Sequence, residues 1–96
     1  MITPYQVLRC AERVTQKPAR IITGRSRRES IVTIRDACIL IIHENTRMSS
    51  GEIAPAFKRH HSAIRYAISR SIDRLETCRH FKAVYESILE QTKQPK

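Results

Sequence analysis

From Ser49 to Ile72 the chain reads SSGEIAPAFKRHHSAIRYAISRSI. These are two helical patterns separated by a turn too short to let them part. Ile53, Ala54 and Phe57 give the first an apolar face, and Ile64, Ala67, Ile68, Ile72 and Leu75 recur at three- and four-residue spacing in the second. Lys58 to His60 form the turn, and His61 or Ser62 starts the second helix. The opposite face of that helix carries Arg65, Tyr66, Ser69, Arg70 and Arg74, and no acidic residue lies between Ile53 and Ile72. Two helices so joined, the second cationic, fit a helix-turn-helix that sets its second helix in a DNA major groove. The turn lacks the glycine such turns often contain.

The rest of the chain reads as helices able to surround that unit. Thr3-Pro4-Tyr5-Gln6 is a helix start, with Thr3 as cap, Pro4 at the first helical position and Gln6 closing a capping box. Val7, Leu8, Ala11 and Val14 follow at helical spacing, and the helix ends before Pro18. Ala19 to Thr23 is one short apolar step, and Gly24-Arg25-Ser26-Arg27-Arg28 is an exposed basic loop. Ser30 to Thr46 is rich in β-branched residues, which favours strand. Its 17 or so residues without a turn signal exceed a typical strand, and it is read as a deeply buried central helix with Arg35, Asp36, His43 and Glu44 on one face. Ser49 to Glu52 is a second capping box. Thr77 caps a last helix that turns Phe81, Val84, Tyr85, Ile88 and Leu89 inward. The expectation is an all-α bundle of five to six helices, one domain over residues 1–91, with a polar tail over 92–96 that frays.

Composition narrows the partners. The 96 residues allow one modest core. The net charge of +9 makes the domain repel itself unless a polyanion compensates, and most of its basic residues are arginines, whose forks match phosphate and guanine edges. Three distant cysteines (Cys10, Cys38 and Cys78), with no signal peptide, point to reduced thiols in a cytosol. The longest apolar run, Ala37 to Ile42, is too short to span a bilayer.

The start of the second helix carries the candidate chemistry. Its free N–H groups and dipole attract phosphate, and side chains near that end reach base edges. Arg59 can bond guanine O6 and N7, and His61 can donate to guanine or phosphate. Ser62 can bond phosphate or either base type, and the Ala63 methyl can touch a thymine methyl. Lys58 and His60 flank this group, and Arg65 and Tyr66 follow one turn later.

These residues together resemble the C-terminal DNA-binding domain of the bacterial replication initiator DnaA, from about Tyr5 to Leu89. Gly24 to Arg28 resembles that family's basic loop, and Arg35-Asp36-Ala37-Cys38 through His43-Glu44-Asn45-Thr46 its central helix. Ser49 to Ile53, Ala56-Phe57 and Arg59 to Ile64 resemble its signature segment. The resemblance implies a bundle of the Trp-repressor or DnaA C-terminal type. It further implies that Arg59, His61, Ser62 and Ala63 read the major groove, that one of Arg25, Arg27 or Arg28 enters the adjacent minor groove, and that Ser49-Ser50-Gly51 sits against backbone phosphate. His60 stands where the family has Asp, the turn is one residue shorter, Ala63 replaces Thr and Gly51 replaces Pro. Specificity for the usual initiator box is therefore expected to be altered. No Gly-rich Lys-Ser/Thr phosphate-binding loop occurs, so the expected role is a stand-alone regulator or replication accessory protein of the bacterial cytosol or nucleoid. Its partner is double-stranded DNA, with a replication or transcription protein as a second partner and the oligomeric state open.

Other classes fit less well. Cys38 and His43, His60-His61, and Cys78 and His80 lack metal-site spacing, so no metal or cofactor is expected. A bundle this small offers little concave space for catalysis, so no catalytic residue is assigned and the chain is read as a non-enzyme with no small-molecule substrate. The last helix carries mixed charges at Lys82, Glu86 and Glu90, which suits core packing better than a membrane surface. The rival that remains is a protein-interaction adaptor with a helix-turn-helix shape that has lost specific DNA binding.

Overall fold

The computed structural model describes residues 2–93 and contains six helices and, among those residues, no strand. α1 spans Pro4–Thr15, α2 Ala19–Ile22, α3 Glu29–Asn45, α4 Ser50–Phe57, α5 His61–Thr77 and α6 Arg79–Lys93. α3 is the axis of the bundle, packed by α1, α5 and α6. Ile31, Thr33 and every residue from Ile34 to Ile42 are buried. A helix buried all round needs no polar stripe, which is why its β-branched run folds as helix: tertiary burial outweighs a small propensity deficit. Arg35 and Asp36 are buried while His43 and Glu44 are exposed. The single polar face expected on this helix is thus divided into an interior pair and an exposed end.

The helix ends follow local chemistry. Thr3 Oγ1 accepts from the Gln6 N–H at 3.1 Å, one arm of the expected capping box. Gln16 ends α1 in the left-handed region at φ 62°, and Glu12 Oε2 takes the Ala19 N–H at 2.6 Å, tying α1 to the start of α2. At α4 both arms of the capping box form between Ser49 and Glu52. Thr77 does not cap α6: its hydroxyl donates back to Asp73, and Cys78 Sγ takes the Phe81 N–H instead. α6 continues through Thr92 and Lys93, which the sequence places in the tail. Thr92 is buried, its hydroxyl on the Ile88 carbonyl, and residues 94–96 lie outside the described residues.

α4 and α5 form the expected helix-turn-helix. Between them Lys58 N–H donates to Pro55 and Arg59 N–H to Ala54, while Lys58 takes the left-handed position at φ 55°. This is the Schellman pattern, in which glycine is usual. A lysine fills the same place at the cost of some backbone strain, so the turn closes without the missing glycine. Ile64, Ala67 and Ile68 point inward as expected, but Ile72 is 50% exposed, because the inward place on that turn belongs to the buried Ser71.

Candidate nucleic-acid interface

The basic loop and the α4–α5 turn are far apart in sequence and meet in space. They flank a cleft of about 580 Å³ whose walls include Arg25, Arg27, Arg35, Lys58 and Arg59. Two arginines build this junction. Arg35, buried on α3, donates from Nε to the Ile22 carbonyl at 2.8 Å and from Nη2 to those of Gly24 and Ser26 at 3.1 and 2.9 Å. Arg59 donates from Nη1 to Phe57 and Thr23 at 2.8 and 3.3 Å, and from Nη2 to Gly24 at 2.8 Å. The loop backbone therefore turns its carbonyls inward onto two guanidinium groups, and the side chains of Arg25, Arg27 and Arg28 are left exposed.

Gly24 is the joint of this arrangement. Its carbonyl serves both arginines, and a Cβ there would lie 2.8 Å from the Arg20 carbonyl oxygen. Burial draws the pKa of Arg35 down, and the charge of Arg59 adds to that; burial likewise draws Arg59 down. Both groups stay charged, since a guanidinium does not lose its proton in a protein.

The N-terminal end of α5 is open. His61, Ser62, Ala63, Arg65 and Tyr66 are exposed, as are Lys58 and His60 beside them. His60 caps the helix: its Nδ1 accepts the Ser62 N–H at 3.2 Å. Arg59 differs from its expected place on a guanine edge, because its guanidinium is half-buried and bonded to three carbonyls. Ser49 and Ser50 stand at the far end of α4, roughly 12 Å along its axis from the turn. Ser49 Oγ is occupied in the cap, so this pair is not drawn into the cleft.

Residues outside the candidate set hold α5 in place. Asp36, 1% exposed, takes Nε and Nη2 of Arg70 in a two-pronged pair, both at 3.0 Å. Ser71 Oγ donates to the Asp36 carbonyl at 3.3 Å, and the Arg70 guanidinium lies 5.1 Å from the centre of the Tyr66 ring. The bond to Asp36 raises the Arg70 pKa. The sequence places Arg70 on a free outer face, and it instead ties α5 to the central helix. The available signal is Arg35-Asp36 inside an apolar run, since buried charges require partners. Among the described residues no helix is long and apolar enough to cross a membrane, and Cys10, Cys38 and Cys78 are free thiols.

Known proteins share this arrangement of sequence. A family model described as bacterial dnaA protein helix-turn-helix matches residues 5–70, from α1 into α5. The chromosomal replication initiator protein DnaA of Mycoplasma pneumoniae (strain ATCC 29342 / M129 / Subtype 1) is 29% identical over 73 residues. That alignment covers 76% of this chain but only 17% of the relative.

Proposed function

The chain belongs to the bacterial DnaA helix-turn-helix family, and from that membership we propose that it is a sequence-specific reader of duplex DNA. As a helix-turn-helix of this type it is a DNA-binding domain. In the proposed mode α5 enters the major groove by its N-terminal turn. His61, Ser62 and Ala63 lie at the base edges and Arg65 and Tyr66 one turn on. One of Arg25, Arg27 or Arg28 reaches the adjacent minor groove while the others follow the backbone. Ser49 and Ser50, at the start of α4, face a phosphate. Arg59 takes a positioning role: it holds the loop against the turn, and so sets the spacing between the two groove contacts.

The observation that carries this reading is the junction itself. A loop with three exposed arginines is held on α3 by Arg35 and tied by Arg59 to the turn that starts an acid-free helix end. Solvation alone gives no reason to hold like charges together. A polyanion that contacts both segments does.

The reading extends to a regulator or replication accessory role, supported by the likeness to a chromosomal replication initiator protein. Selection of bound sequences from a random duplex pool tests the specificity. The expected outcome is enrichment of a short motif. A pool that stays random after repeated rounds would instead favour the helix-turn-helix-shaped adaptor.

A further inference from the structure

His60 stands one residue before α5 with an extended backbone, and its ring is exposed. Its Nδ1 accepts the Ser62 N–H at 3.2 Å and lies 2.9 Å from Ser62 Oγ. A ring nitrogen that accepts a hydrogen bond carries no proton, and a neutral imidazole holds its one proton on the other nitrogen. The cap therefore assigns the tautomer: the proton is on Nε2. It also fixes the ring, which is tied through Nδ1 and flanked by the His61 ring with centroids 4.2 Å apart. What His60 presents outward is a single N–H donor in a defined place.

We propose that His60 is a specificity-determining residue whose Nε2–H reads a hydrogen-bond acceptor on the base it faces and rejects cytosine there. This rests on the reading that α5 enters the major groove. In that groove guanine offers N7 and O6, adenine N7 and thymine O4 as acceptors, whereas cytosine offers only the N4 amino donor. A donor set against a donor leaves both unsatisfied, and a mismatched position in a specific site costs roughly 5- to 150-fold in affinity. His60 cannot escape by exchanging its donor for an acceptor, because the other ring nitrogen is engaged in the cap.

The test uses the full chain and its His60→Asp variant in parallel selections from a random duplex pool. Aspartate is a strong helix cap, so the variant keeps the start of α5 while replacing an outward donor with acceptors that suit cytosine N4. The expected result is one position at which cytosine is depleted by the native chain and enriched by the variant, with the remaining positions unchanged. Nitrogen-15 NMR of the free protein should show the His60 proton on Nε2. If both proteins select the same motif, the inference is overturned while DNA reading stands. The same holds if the variant loses affinity equally for all sequences, or if the proton is on Nδ1. If neither protein enriches any motif, the DNA reading itself fails and this inference with it.

Discussion

Arg59 shows how a residue suited to reading a base can instead be used for placement. Its three bonds go to backbone carbonyls at 2.8 to 3.3 Å, two of them at Thr23 and Gly24, where α2 gives way to the loop. A guanidinium spans several acceptors because its donors form a rigid fork, and an ammonium cannot do so. Arg59→Lys keeps the charge and removes the fork. Its expected effect is about tenfold weaker binding to the selected duplex with an unchanged salt slope, measured by fluorescence anisotropy. Equal affinity of this variant and the native chain would mean that only the charge matters. The cysteines divide in a similar way. Burial pushes the Cys38 thiol up to about 12, whereas the Phe81 N–H draws Cys78 down. The thiolate is the reactive form, so iodoacetamide at about pH 8 should modify Cys78 first in the folded protein. Faster loss of Cys38 would contradict the packing of α3.

Among the elements, the placement of α5 depends on a pair that crosses from α3. Arg70→Ala leaves the Asp36 carboxylate buried without its partner. The cost is expected to be about 2 kcal/mol, less than for a fully buried pair because Arg70 itself is 37% exposed. Asp36→Asn combined with Arg70→Met should cost less than the sum of the single changes, as read from denaturant unfolding in a double-mutant cycle. Strict additivity would mean the pair does not act as a unit. The helix-turn-helix is legible in the sequence because capping, apolar spacing and turn length all concern neighbours in the chain. The role of Arg70 is not, because its partner lies 34 residues away and a charged side chain at that spacing fits a solvated face equally well. The same limit hides the junction at Gly24, where Arg35 and Arg59 converge from 11 and 35 residues away. The end of α6 misleads for another reason: Thr92 looks like polar tail, yet its hydroxyl is satisfied on its own helix while the residue is buried.

At the scale of the whole molecule, a core built around one deeply buried helix supports a surface in a chain of net charge +9. Such a charge opposes compactness, and contact with a polyanion relieves it. The fold gathers a share of it at one place, where the outward arginines of the loop meet the open start of α5. Each phosphate neutralised there releases condensed counterions, so affinity must fall with salt in proportion to the number of contacts. The salt dependence of duplex affinity therefore tests the central claim most directly. With roughly six to eight phosphate contacts, the log–log slope is expected to be about −5 to −7. A slope near zero, or no binding to duplex at low salt, would contradict it.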